Sequence, residues 1–288
     1  MTSTRPLNFS AATHPGLVRA NNEDSYLSLP ESGLWLVADG MGGHEAGEVA
    51  SAIVCETFRG LHGKNSCESL HQSVHASHRA VLAAAGNGRG ASGMGSTVVA
   101  LLSQDYDYQI AWVGDSRAYL WTNSDDGGRL ERLSTDHSYV QMLLESGAIT
   151  DDELENHPEK NIITQCIGSL ESDHLQVDVV RGQWQRDQWI LLCSDGLTDE
   201  IDDKTIAQVL CDSSSCATAT DALLRSALTK GGHDNITVQI IESPLQARHR
   251  LASLWQWVPH LTGRRRWDAV IYSAAVVSLF ALLYSIVQ

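Results

Sequence analysis

Basic residues are scarce in this chain of 288 residues: 20 Lys+Arg stand against 35 Asp+Glu, a formal charge of −15. The deficit lies in residues 1–245, where 15 basic residues face 34 acidic ones, a balance of −19. Residues 246–288 carry five arginines and one acid, Asp268, for +4. A body this acidic repels a polyanion, which excludes DNA and RNA as partners and makes cations the better ligand class. Paired cysteines are also missing. None of Cys55, Cys67, Cys166, Cys193, Cys211 and Cys216 forms a C-x-x-C pair, and several sit in apolar runs, the pattern of reduced structural thiols in a cytosolic protein. The opening residues, MTSTRPLNFSAATHPG, hold no apolar core long enough for a secretion signal. There is no internal repeat, and no low-complexity tract beyond a short serine run near Cys211.

What is present is enough apolar content, 43%, to build one large domain or one domain with an appendage. The appendage is marked at the C-terminus. Residues 269–287, AVIYSAAVVSLFALLYSIV, are 19 residues without a charge. As a helix they would reach about 28 Å, close to the roughly 30 Å of a bilayer core. Arg264–Arg266 and Trp267 precede them, with Arg248, Arg250, Trp255 and Trp257 further back. Arginines and aromatic residues at one end predict a single-pass tail anchor whose body lies on the cytoplasmic face. The competing expectation is an apolar helix docked on the body or forming a dimer. The predicted organisation is thus a body over 1–245, a basic and aromatic linker over 246–268, and an anchor over 269–287.

Within the body, Trp35–Ala38, Ser96–Leu102, Gln109–Trp121, Leu175–Val180, Gln188–Cys193 and Asn235–Ile241 read as strands from their β-branched and aromatic content. The second and third of these read as an antiparallel pair. Helical spacing predicts helices over Glu45–Leu61, Glu68–Ala85, Asp203–Cys211 and Ala217–Lys230, with a shorter piece in YVQMLLESG. Runs of strands flanked by helices in pairs point to helices covering a largely antiparallel sheet assembly.

Several of these apolar runs end in a lone carboxylate beside glycine or a turn former: Asp39 in WLVADGMGGH, Asp115 in IAWVGDSRAYL and Asp195 in WILLCSDGLTD. Asp234 stands just before a strand in GGHDNITV, and Glu23 and Asp24 lie in VRANNEDSY. One acid at a strand end is ordinarily a turn or cap residue. Four or five brought together could not all stay ionised unless cations lay between them. An oxygen-only set suits Mg²⁺ or Mn²⁺ rather than Zn²⁺.

RANNED, VADGMGGH, GMGST, WVGDSRAYL, STDHS, LLCSDGLTD and GGHDNITV stand in an order and spacing that resembles the type 2C metal-dependent serine/threonine protein phosphatases, in the DGMGGH form of the bacterial branch. The resemblance covers residues 8–242. It implies an α+β fold, a four-layer α-β-β-α sandwich of two antiparallel sheets flanked by helix pairs, with a metal cluster at one end. It also implies that Asp39 bridges two Mn²⁺ or Mg²⁺ ions, with the Gly40 carbonyl as a further ligand. Asp195 and Asp234 would complete one ion, and Glu23 and Asp24 would hold the other, partly through water. Asp115 with Asp195 would serve a third. Arg19 matches the arginine that grips the substrate phosphate, and His44 a proton donor, with a helix-start role as the alternative.

Two such ions would acidify a bridging water for attack on phosphorus, with Arg19 neutralising charge on the phosphoryl oxygens. No protein nucleophile is then needed. Consistently, no cysteine is followed six residues later by arginine. Asp105 and Asp107 in QDYDYQ read as turn acids, lacking the preceding strand and following hydroxyl of an aspartyl-phosphate centre. His71, His75 and His78 recur at helical spacing and read as a solvated face. Residues 138–163 resemble the family's flap beside the active site. Gln165 stands where many bacterial relatives have arginine, which affects substrate preference rather than metal binding. The expected activity is hydrolysis of phosphoserine and phosphothreonine in proteins, opposing a membrane-bound Ser/Thr kinase. The alternative is a pseudophosphatase that holds phosphoproteins without turnover.

Overall fold

Leu34, Trp35, Leu36, Val37 and Ala38 are all buried. Successive side chains of a strand point to opposite faces, so such a run needs cover on both sides. The computed structural model, which describes residues 6–43, 46–62, 69–124, 127–154, 157–169 and 175–245, provides it.

The chain runs β1 (Phe9–His14), β2 (Asp24–Leu29), a single 3-10 turn, β3 (Leu34–Met41), α1 (Ala46–His62), α2 (Leu70–Gly86), β4 (Gly95–Ser96), β5 (Val98–Gln104), β6 (Asp107–Val113), β7 (Arg117–Thr122) and β8 (Arg129–Arg132). It continues α3 (Tyr139–Glu145), α4 (Asp151–Leu154), β9 (Asp178–Gln183), β10 (Gln188–Cys193), α5 (Asp195–Thr198), α6 (Asp203–Asp212), α7 (Cys216–Lys230) and β11 (Ile236–Glu242). One sheet has the order β1-β11-β10-β7-β8 and the other β2-β3-β5-β6-β9, with β4 paired to β3. Every pairing is antiparallel.

Three apolar cores separate four layers. Leu34, Leu36 and Ala38 pack with Ile53, Phe58, Val74 and Val81 of α1 and α2. Their alternates Trp35 and Val37 join Val99, Leu101, Ile110, Ile190 and Leu192 between the sheets. Leu191 and Cys193 meet Ile206, Leu210 and Leu223 of α6 and α7 on the far side. This is the α+β sandwich that the seven motifs imply. Ser69 and Ser215 close capping boxes at the N-termini of α2 and α7, satisfying orphan backbone donors there. Buried Cys55, Cys193 and Cys216 are free, and burial pushes each thiol up to about 12, which makes them packing residues.

Four expectations need correction. Gln109–Trp121 is not one strand but β6 and β7, which belong to different sheets. The chain crosses between them at Gly114, whose φ of 104° an L side chain rarely adopts and whose added Cβ would lie 2.6 Å from Thr97. The strand expected at Leu175–Val180 is displaced to Asp178–Gln183. Asp105 and Asp107 do follow a strand, β5, and they serve its hairpin: Asp105 takes a positive φ of 54° and Asp107 opens β6. The helix bearing His71, His75 and His78 is not simply solvated, since His78 Nδ1 accepts the Gly168 N–H at 3.1 Å.

Candidate metal centre

Alternation along β3 fixes the direction of Asp39. Trp35 and Val37 point between the sheets, and two residues further Asp39 shares their face at the strand's end. Asp24 is its direct cross-strand partner on β2. Both therefore stand at one mouth of the sandwich. Asp115 reaches the same mouth from the β6–β7 crossover, and Asp195 from the first residue of α5, directly after β10.

These four acids act on one another. Burial, the charges of Asp24, Asp195 and Asp115, and a hydrogen bond with Asp195 hold the Asp39 carboxyl well above the usual range. Burial and then Asp195 and Asp136 do the same to Asp115. Asp195 is pushed up to about 6, by burial and then by the charge of Asp199. Asp24 rises to about 7 because it is buried, although hydroxyl donors oppose the shift: Ser194 at 2.8 Å and Thr237 at 2.7 Å, both on Oδ2. A side-chain hydrogen bond joins Asp39 and Asp195, and it acts to raise Asp39 and to lower Asp195.

The second group lies alongside. Arg19 Nη2 donates to Asp234 Oδ2 at 2.7 Å while its side chain remains 55% exposed. Burial raises the Glu23 carboxyl and Arg19 counteracts it. The backbone N–H of Gly40 donates to the Glu23 carbonyl at 3.2 Å. A Cβ on Gly40 would lie 2.1 Å from the Gly47 carbonyl and 2.6 Å from that of Glu23, so the approach of these segments requires glycine.

The donor set fits a hard cation. All the side-chain donors are carboxylate oxygens, and Asp24 Oδ1 and Asp195 Oδ1 are buried with no hydrogen-bond partner. A buried, unpaired carboxylate oxygen is costly, and a divalent ion would satisfy it. Among the described residues no three acidic, histidine or cysteine side chains stand at coordination spacing. His44 lies outside the described residues.

Residues that the motifs contain but whose work was not foreseen hold this arrangement. Asn235 donates to the carbonyls of Pro15 (3.0 Å) and Asn21 (2.9 Å) and accepts from the Glu23 N–H at 2.7 Å, fastening the β1–β2 connection at three points to the start of β11. Thr97 Oγ1 accepts the Asp39 N–H at 3.0 Å and pairs with Ser116 Oγ at 2.7 Å, beside Asp115. Arg117 clasps Asp136 through Nε and Nη2 (2.8 Å), and Arg132 joins it. The only sequence signal for these was their place inside the quoted motifs.

Residues 138–163 leave and return at one point: Tyr139 N–H donates to the Ile162 carbonyl at 2.8 Å, and Thr164 N–H to that of His137 at 2.7 Å. Lys160 Nζ and Asn161 Nδ2 both hold Asp199 at 3.0 Å, one on each carboxylate oxygen. Asp199 caps α5, the helix that Asp195 begins. Gln165 Oε1 accepts the Gln176 N–H at 2.9 Å, a local bracing contact.

The sequence profile of the family described as Protein phosphatase 2C matches residues 18–230. Serine/threonine phosphatase stp of Listeria welshimeri is 33% identical over 252 residues, 84% of this chain and 98% of that protein. Serine/threonine protein phosphatase PstP of Mycobacterium tuberculosis is 34% identical over 243 residues, 83% of this chain and 45% of PstP. The crystal structure of the latter phosphatase superposes with a TM-score of 0.73 at 34% identity, covering 83% of this chain and 99% of that one. Its catalytic domain in complex with two manganese ions gives 0.71 at 33% identity, covering 82% and 98%.

Proposed function

From the premise that the chain belongs to the protein phosphatase 2C family, we propose that the carboxylate mouth of its sandwich is the metal centre of a protein-serine/threonine phosphatase. The enzyme hydrolyses phosphoserine and phosphothreonine esters of proteins with Mn²⁺. In this reading Asp39, the Gly40 carbonyl, Asp195, Asp234, Glu23 and Asp24 are the residues that would hold two ions. Asp115 with Asp195 serves a third, and Mg²⁺ is an alternative occupant. When bound, such ions supply positive charge against the phosphoryl oxygens and an acidified water as nucleophile.

The chain's own residues do the rest. Burial and mutual repulsion raise Asp39, Asp24 and Asp195, and nearby positive charge would favour their ionised forms. Arg19, already gripping the carboxylate of Asp234 and still exposed, is placed to take an anionic phosphate on its planar fork. Thr97 fixes the Asp39 backbone. His44 is the proposed donor of the proton that the departing seryl or threonyl oxygen needs. The observation that carries the reading is the group of carboxylates brought together at one end of the sandwich, with two buried oxygens that lack a hydrogen-bond partner and Arg19 beside them.

The test is phosphate release from a phosphothreonine peptide with Mn²⁺, with excess EDTA, and with Asp39→Asn. Mn²⁺-dependent release lost in both controls supports the reading. A folded chain that binds Mn²⁺ without release would instead be a binding module.

We also propose that residues 269–287 anchor the body to the cytoplasmic face of the bacterial inner membrane, opposite a membrane-bound Ser/Thr kinase. The uncharged run and the preceding arginines support this. That segment lies outside the described residues; among those described, no helix is long and apolar enough to cross a membrane. Retention in the membrane pellet through carbonate extraction is the expected result, and release into the supernatant would overturn it.

A further inference from the structure

Leu17 and Val18 are 66% and 67% exposed, the most exposed of the large apolar side chains described. They are consecutive, and the next residue is Arg19. Exposed aliphatic residues are ordinary on a loose loop, but this loop is fastened on both sides of them.

Before the pair, Gly16 takes a φ of 79° and comes so close to the 232–234 backbone that a Cβ would lie 2.3 Å from the Asp234 carbonyl. Its N–H donates to His14 Nδ1 at 3.0 Å, and Asn235 holds the Pro15 carbonyl at 3.0 Å. The N–H of Leu17 itself donates to the Gly232 carbonyl at 2.7 Å. After the pair, Asn235 holds the Asn21 carbonyl at 2.9 Å, and Asn22 Nδ2 donates to Thr13 Oγ1 at 2.8 Å. The backbone on both sides of the pair is therefore held, and the residue after it is the arginine whose guanidinium touches Asp234. Consecutive Cα atoms are about 3.8 Å apart, so residues flanking a phosphate held at Arg19 come within reach of this pair.

We propose that Leu17 and Val18 form an apolar subsite for a residue within three positions of the phosphorylated Ser or Thr, so that the enzyme favours substrates with an aliphatic side chain there. The inference rests on the phosphatase reading above. Its occupant is a substrate segment rather than a second copy of the chain, because the pair directly precedes the arginine assigned to the phosphate.

The experiment measures kcat and KM of the full chain with Mn²⁺ on matched phosphothreonine peptides that carry Leu or Ser at each position from −3 to +3. Turnover of p-nitrophenyl phosphate is followed alongside. At one or more positions the Leu peptide is expected to have a KM lower by about tenfold, the scale set by burying a few methylenes. In the doubly substituted Leu17→Ser, Val18→Ser chain this ratio should fall toward one through KM, whereas Val18→Leu alone should keep it. An unchanged ratio overturns the inference. So does loss of p-nitrophenyl phosphate turnover in the double variant, since that marks the pair as a support of the centre. Absence of Mn²⁺-dependent p-nitrophenyl phosphate turnover in the unsubstituted chain would instead remove the phosphatase reading on which the inference stands.

Discussion

At the level of single residues, the centre stores a conflict that pH should expose. Asp24 and Asp195 have carboxyls raised to about 7 and about 6, chiefly by burial. In the unfolded chain each would titrate near the ordinary aspartate value of about 4. Between those values the folded state holds more protons than the unfolded state, so stability falls as pH rises through this window. The metal-free protein is therefore expected to melt at a higher temperature at pH 5.5 than at pH 8. With Mn²⁺ the order should reverse, because protons compete with the ion. Calorimetry at both pH values with and without EDTA checks this, and a metal-free protein that is more stable at pH 8 would refute it. Asp39→Asn removes one of the crowded acids. Without metal it should be at least as stable as the parent at pH 8, while Mn²⁺-dependent turnover falls on the order of a thousandfold. Asn235 is different, since its side chain repels nothing and holds the β1–β2 connection at three points. Asn235→Ala should cost about 2–3 kcal/mol and lower Tm by roughly 5–10 °C, read from thermal unfolding.

The same division between work and support decides which elements could be read from sequence. β3, β10 and β11 were legible because both their faces are buried, which leaves a continuous apolar run. β1, FSAATH, and β2, DSYLSL, were not, because only part of each is covered and their faces between the sheets carry polar groups: Thr13 meets Thr237, and Ser28 meets Gln239. β8, RLER, is a sheet edge without a pattern long enough to register. Asp39, Asp115 and Asp195 were visible, since each follows a readable apolar run and stands beside glycine. The ties among them were not, because Thr97, Asn235 and Asp136 act through pairings across the fold. The flap illustrates how such ties work on whole elements. Lys160 and Asn161 fasten its return limb to Asp199 in the turn that Asp195 begins. The Lys160–Asp199 pair is about one-third exposed on each side, so it contributes little to global stability, about 0–1 kcal/mol. Lys160→Ala with Asn161→Ala should leave Tm nearly unchanged and raise the rate of proteolytic nicking within 138–163. Equal nicking in parent and variant would show that the flap is held elsewhere.

For the whole molecule, the imbalance of charge sets which substrates approach fastest. Residues 1–245 carry −19, counting 15 Lys+Arg against 34 Asp+Glu, and part of that charge is concentrated in the acids at the mouth of the sandwich. Two bound divalent ions would offset only four of these charges, so the body stays strongly negative when the centre is loaded. A phosphate group arriving alone is repelled by such a field, whereas one carried on a basic segment is drawn in. Arg19, the cation assigned to receive the phosphate, already shares its charge with Asp234, which leaves long-range attraction to the substrate's own basic residues. A phosphothreonine peptide flanked by Lys and Arg should accordingly be turned over with a higher kcat/KM than a neutral one. Its advantage should shrink as salt is raised from 0.01 to 0.15 M, where the screening length falls from about 30 Å to about 8 Å. The dependence should appear in kcat/KM, which contains the encounter, and leave kcat at saturating peptide nearly constant. Parallel salt titrations of the two peptides measure it, and an advantage that survived at high salt would mean that basic residues are recognised by contact at the site rather than by the field of the acidic body.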